Sequence, residues 1–250
     1  MSKDSDQPGM NRRQFIGGAI ATAGAVTVAP GVILHAVAGN EQISAGASSE
    51  KRWGMLVDTN KCSDGCSACV DACNDEHNLT GFGRPETDAQ WIRTVKLKDK
   101  QTGRVNRMIM MCQHCEFPPC VDVCPTNASF KRADGIVLVD RHRCIGCRYC
   151  MMACPYKARS FVHEALQDQA VSAPRGKGCV ESCTLCVHRI DAGKTTTACQ
   201  DACQKEGHAA IVFGDLNDQN SKISQVLKTS NSTQIRADLE LNTGVRYLNL

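Results

Sequence analysis

From residue 53 onward, short apolar runs alternate with polar loops in which cysteines crowd together. Runs at 54–57 and 136–139 read as short strands, each opening the repeated pattern Val57-Asp58-Thr59-Asn60-Lys61-Cys62 and Val139-Asp140-Arg141-His142-Arg143-Cys144. A cysteine loop and then a helical turn follow, at 68–73 and 149–154. Further strands are expected at 128–130, 159–162 and 209–213. Residues 91–98 and 104–111 flank a Gly-containing loop at 99–103 and predict a hairpin. Residues 217–228 predict a short helix with Ile223, Val226 and Leu227 on one face. The tail 229–250 has no clear period and is expected to wrap the body or a partner. No stretch in the last 50 residues is apolar enough to span a membrane.

The N-terminal pattern differs. Arg12-Arg13, Phe15-Ile16 and a Gly/Ala-rich apolar stretch to Ala36-Val37-Ala38 resemble a twin-arginine export signal with a small-residue cleavage site. Pro30 and the many Gly and Ala make it too weakly hydrophobic for a good membrane span. The expected organisation is a signal at 1–38, a flexible lead-in at 39–52, a cofactor body at 53–215 and a C-terminal helix and tail at 216–250.

Aromatic residues make up only 4% of the chain, so Phe, Trp and Tyr alone cannot organise the interior. Cysteine can. Sixteen of the 17 cysteines form four motifs: Cys62, Cys66, Cys69 and Cys73; Cys112, Cys115, Cys120 and Cys124; Cys144, Cys147, Cys150 and Cys154; Cys183, Cys186, Cys199 and Cys203. The third reads CIGCRYCMMACP, the C-x2-C-x2-C-x3-C-P run of bacterial ferredoxins, in which three cysteines bind one cubane and the fourth binds its neighbour. Disulfide frameworks rarely crowd cysteines at i, i+3 and i+6, so iron–sulfur ligation outweighs both disulfides and structural zinc. The C-x3-C-x2-C spacing of the first motif also occurs in radical-SAM enzymes. This chain leaves no length for their barrel, and Cys73 would be superfluous there. His114 lies among four cysteines and is expected to be a hydrogen-bonding neighbour rather than a ligand. Cys179 is the odd cysteine; with Cys183 and Cys186 it copies the spacing of the first motif and offers an alternative register.

The second and third motifs both end in Cys-Pro, and the first and fourth do not. Like halves are expected to pair and exchange their last cysteines. The expected ligand sets are Cys62, Cys66, Cys69 with Cys203; Cys73 with Cys183, Cys186, Cys199; Cys112, Cys115, Cys120 with Cys154; and Cys124 with Cys144, Cys147, Cys150. Four [4Fe–4S] clusters would take the formal net charge from +3 to about −5. The cations near the motifs (Lys61, Arg143, Arg148, Lys157, Arg159 and Arg189) then read as local compensation. A +3 excess without a basic block argues against nucleic acid.

The segments KCSDGCSACVDAC, CQHCEFPPCVDVCP, CIGCRYCMMACPYKAR and CTLCVHRIDAGKTTTACQDAC resemble the four-cluster ferredoxin subunits of the DMSO-reductase type. These include the beta subunits of formate dehydrogenase and of polysulfide and tetrathionate reductases, and NrfC. The resemblance runs from Trp53 to about Leu250. It implies an α+β, duplicated 2×[4Fe–4S] ferredoxin-like fold and a non-catalytic electron-transfer role. The export signal and the C-x3-C first motif look most like DsrO-type periplasmic subunits of sulfite-reduction-associated Dsr membrane complexes. That resemblance implies a quinone-interacting NrfD-like membrane partner (DsrP), a triheme cytochrome c (DsrJ) and the DsrMK pair. The alternative is the beta subunit of a molybdopterin reductase, or an enzyme acting on sulfur compounds with its own clusters. A catalytic cluster usually leaves an iron open, whereas every motif here has four cysteines.

Overall fold

The computed structural model describes residues 47–250 apart from 80, 104 and 168. Before them it describes only two short antiparallel strands, β1 (Val26–Ala29) and β2 (Val32–Leu34). The rest of the expected signal at 1–38, and the lead-in up to residue 46, lie outside the described residues. The remainder of that lead-in is tied down. Arg52 N–H donates to Asp215 Oδ1 at 2.9 Å, and its guanidinium reaches Asn242 O at 2.6 Å.

A four-stranded sheet opens the body. β3 (Trp53–Asp58) runs through its middle, with β10 (Ile211–Asp215) antiparallel on one side and β12 (Val245–Leu248) parallel on the other. β11 (Ser232–Thr233) closes the far edge. Residues 53–57 of β3 are buried without a break, because both faces of the sheet are covered. Met55, Val57, Ile211, Phe213, Val245 and Tyr247 join the core that also holds the cysteines. Leu56 and Leu248 point to the opposite face, as the two-residue strand period requires. There they pack under Ile223 of α6 (Lys222–Thr229). Gly54 is needed at this crossing: a Cβ there would lie 2.6 Å from the carbonyl of Gly244.

The other elements are short. β4 (Ile92–Lys98) and β5 (Val105–Met111) form the expected hairpin in full seven-residue register. β6 (Ser129–Lys131) pairs with β7 (Val137–Val139), and β8 (Ser160–Phe161) with β9 (Val180–Glu181). Five helices carry or flank the cysteines: α1 (Ala68–His77), α2 (Pro119–Asp122), α3 (Tyr149–Ala153), α4 (Val187–Asp191) and α5 (Ala198–Lys205). α1 packs on α5 and α2 on α3, giving two ferredoxin-like halves in an α+β fold. Among the described residues no helix is long and apolar enough to cross a membrane.

Two expectations change in detail. The helix near 217 begins at Lys222, because Asp215 and Asp218 hold the preceding turn and Ser221 caps the helix through Ser224 N–H at 3.3 Å. The tail, which shows no clear period, holds regular strands. Its last strand, β12, is an interior strand, and Tyr247 is fully buried, donating to Ile109 O at 3.2 Å and accepting from Gln113 Nε2 at 3.1 Å. The alternation Val245, Arg246, Tyr247 is too brief a signal to mark it.

Tyr247→Ala should therefore cost on the order of 3–5 kcal/mol, the usual range for emptying a large aromatic site. Thermal unfolding beside Leu250→Ala, which removes a half-exposed side chain, checks this; equal midpoints would refute the interior role of β12.

Candidate iron–sulfur centres

Helix pairing brings the cysteines together. α1 carries Cys69 near its start and Cys73 one turn later; α5 carries Cys199 and Cys203 in the same arrangement. Cys62, Cys66, Cys69 and Cys203 line one cavity, beside Arg107 and Ile211. Cys73 instead lies among Cys199, Cys186 and Cys183. The start of one helix thus faces the end of the other, and each helix gives one thiol to each site. In the second half, Cys115 and Cys120 lie with Cys112 and Cys154. In the fourth set Cys150 approaches Cys144, while Cys124 sits just after α2 and Cys147 on an exposed loop.

The sites follow one another in order. Cys69 of the first set is close to Cys73 and Cys199 of the second. Ser182, whose hydroxyl partly offsets the burial that raises the Cys112 thiol of the third set, directly precedes Cys183 of the second. Cys120 of the third set is close to Cys150 of the fourth. All eight cysteines of the two middle sets are buried. Cys62 and Cys66 at one end, and Cys124, Cys144 and Cys147 at the other, reach partial or full exposure.

Burial and mutual repulsion dominate the electrostatics. Burial first, then the charges of Cys62, Cys203 and Cys66, push the Cys69 thiol up to about 12. Burial raises Cys186 to about 12. It also raises Cys199 to about 11, against hydrogen bonding from Thr197. Thiolates packed this way need positive charge at their centre, which a metal core supplies. Among the described residues no three His, Cys, Asp or Glu side chains are close enough to hold a single metal ion. The all-thiolate donor sets suit iron–sulfur clusters. Backbone donors complete the cradles: Ser129 N–H reaches Cys124 Sγ at 3.3 Å, Ala210 N–H reaches Cys203 Sγ at 3.2 Å, and Val180 N–H reaches Cys144 Sγ at 3.5 Å. Gly146, with φ +72° and the Gly178 carbonyl against its α-carbon, gives the third motif room to turn.

The remaining sequence candidates separate clearly. His114 accepts from Val137 N–H at 3.0 Å through Nδ1, and burial pulls its pKa down to about 3. It is a neutral, hydrogen-bonded neighbour. Cys179 donates its thiol to Arg141 O at 3.2 Å and lies near Cys144, away from the Cys183 and Cys186 site. Of the cations, Arg159 alone donates directly to a cysteine sulfur, at 3.1 Å from Cys120 Sγ. Lys61 pairs with Asp58, Arg143 bonds Thr126 O, and Arg148 stacks on Phe161.

Sequence reasoning missed an ion-pair clamp. Arg189 holds Glu76 through two bonds of 2.6 and 2.5 Å and reaches Asp201 at 2.8 Å, joining α1, α4 and α5 around the first two sites. The Arg189 bonds, then His188, hold Glu76 down to about 2 despite burial. No local spacing marks this pair, since its members are 113 residues apart. Arg107 was also missed. It bonds Cys66 O at 2.9 Å, and its charge partly offsets the burial and the charge of Cys203 that raise the Cys62 thiol.

Two family descriptions match the chain, each a 4Fe-4S dicluster domain, over residues 61–128 and 104–215. The chain is 39% identical to the Hdr-like menaquinol oxidoreductase iron-sulfur subunit 1 of Archaeoglobus fulgidus, over 96% of this chain and 98% of that protein. It is 38% identical to a tetrathionate reductase subunit of Salmonella typhimurium, over 72% of this chain and 64% of that protein. Protein NrfC of Escherichia coli is 35% identical, over 87% of this chain and 86% of its own length.

Two substitutions check the geometry. Cys179→Ala should leave the iron content unchanged, whereas loss of one cluster's iron would restore the alternative register. Arg189→Met should speed iron loss to a chelator several-fold, because it uncouples the elements around the first two sites; unchanged release would reduce the clamp to a surface feature.

Proposed function

We infer the function from one premise: this chain belongs to the 4Fe-4S dicluster family of iron–sulfur electron-transfer subunits. The four [4Fe–4S] clusters are proposed to sit in the four cysteine sets, one in each. When bound, each cluster takes up and releases one electron at a time. The protein's part is to hold the thiols, exclude water from the two middle sites and bring the two end sites to the surface. The observation that carries this reading is that graded burial along the four ordered sites. A relay needs insulated interior stations and accessible ends; a chain that performed catalysis itself would need an open ligand position. Each set instead has four thiols.

The finer reading concerns setting. Arg12-Arg13 and the apolar stretch behind it support twin-arginine export to the periplasm, the route for proteins that cross folded with cofactors in place. Likeness to the Archaeoglobus fulgidus menaquinol oxidoreductase subunit supports exchange of electrons with a quinone-interacting, NrfD-like membrane protein of the DsrP type. A triheme cytochrome c of the DsrJ type and the DsrMK pair complete the proposed complex, which serves dissimilatory sulfur metabolism. The chain would then be peripheral on the inner membrane through its partners, and not itself an enzyme.

Purified holoprotein should contain about sixteen irons and give coupled, reducible EPR signals. Cys183→Ser should remove or alter one of the four centres and leave the others reducible. Zinc in place of iron, absence of reducible signals, or sulfite or polysulfide turnover by the isolated chain would overturn the relay. Replacing Arg12 and Arg13 together by lysine should abolish periplasmic accumulation. Purification from native membranes should bring down an NrfD-like protein and a multiheme cytochrome; a molybdopterin protein in their place would refute the Dsr assignment.

A further inference from the structure

Arg159 follows the third cysteine motif and is buried, with 6% exposure. Its Nη2 donates to Cys120 Sγ at 3.1 Å and to Ser129 Oγ at 2.7 Å. Ser129 in turn donates its backbone N–H to Cys124 Sγ. The guanidinium thus touches a thiol of the third set and is anchored by a residue bonded to a thiol of the fourth. Cys112 of the third set and Cys150 of the fourth also lie within the reach of its charge.

Two features separate Arg159 from an ordinary structural arginine. Among the described residues it has no carboxylate partner, whereas the other fully buried arginine, Arg175, is paired with Glu181 at 2.7 Å. Its Nε and Nη1 are buried and find no acceptor among the described protein groups. Buried guanidinium donors are costly when unmet, and an arginine stays charged at any working pH. Their surroundings are the sulfur ligands of two adjacent sites. Among the described residues no buried cation bonds a sulfur of the second site, where His77, held neutral by burial with a pKa of about 4, lies 3.7 Å from Cys186 Sγ.

We propose that Arg159 is a shared positioning residue that sets the reduction potentials of the third and fourth centres together, through its charge and through hydrogen bonds from its free N–H groups to sulfur. The inference rests on the four-cluster relay. Reduction adds one electron, and so one negative charge, to a centre; no bond is broken and no proton is required. A fixed positive charge and N–H···S bonds stabilise the more negative state and raise the potential. One guanidinium serving both sites keeps the two potentials close, so that an electron passes between them in either direction without a large uphill step.

The test is an EPR-monitored redox titration of the full holoprotein, with dithionite as the electron source. In Arg159→Met, two of the four midpoints should fall, each by at least tenfold in the reduction equilibrium constant, about 59 mV for a one-electron couple. The other two should stay in place. Arg159→Lys keeps the charge and should recover at least half of the shift, which a purely space-filling role would not produce. If Arg159→Met fails to retain its iron, Ser129→Ala takes its place. It removes only the 2.7 Å anchor of the guanidinium, and the same two midpoints should fall, by less. Four unchanged midpoints, or four that move equally, overturn the proposal. Wild-type protein without four reducible centres would instead refute the relay reading on which it rests.

Discussion

Thiolates repel one another, and this chain buries most of sixteen of them in four groups. Burial and mutual charge raise thiol after thiol above its ordinary range, so the sets hold together only around positive charge. A metal core supplies it and turns the repulsion into attachment. The rest of the fold follows from that constraint. With so few aromatic residues, the interior is built from cysteines packed with Met55, Val57, Met108, Ile109 and Tyr247 around the central sheet. The first three sets each draw on two motifs, so they bring together segments far apart in sequence: Cys62 and Cys203, Cys73 and Cys183, and Cys112 and Cys154.

The helices make this exchange economical. Two cysteines four residues apart lie on one helix face, one turn apart. When two such helices run in opposite directions side by side, each places one thiol in each of two adjacent sites. α1 and α5 do this for the first pair; in the second, α2 packs on α3 and Cys120 lies with Cys154. The same exchange keeps neighbouring sites close, because Cys69 and Cys73 sit on one helix. Structural economy and electron passage therefore have a common cause. The long insertion in the fourth motif forms α4, whose Arg189 locks onto Glu76 of α1 and secures the first pair.

The two halves are not electrically equivalent. The first pair is steadied by ion pairs at its periphery, between Arg189, Glu76 and Asp201 and between Arg107 and Asp64. The second pair has a guanidinium buried between its sites with no carboxylate among the described residues to cancel it. A duplicated fold therefore carries two different electrostatic settings, and direction along a relay depends on such a difference.

Local sequence determined which cysteines fall into motifs and where several of the short strands lie. Those features depend on spacing within a few residues: three cysteines within one loop, a Cys-Pro ending, an apolar run before a turn. The repeat at Val57–Cys62 and Val139–Cys144 was legible for the same reason, as was the hairpin of β4 and β5. The order of the four sites, the burial of the two in the middle, the insertion of β12 beside β3 and the Glu76–Arg189 clamp came only from the tertiary structure. Their partners lie far apart along the chain, and no periodicity encodes a contact across that separation. Arg159 was visible in the sequence as one of several scattered cations. That it alone among them bonds a cysteine sulfur, with two donors still free, depends on the third motif folding back against β6.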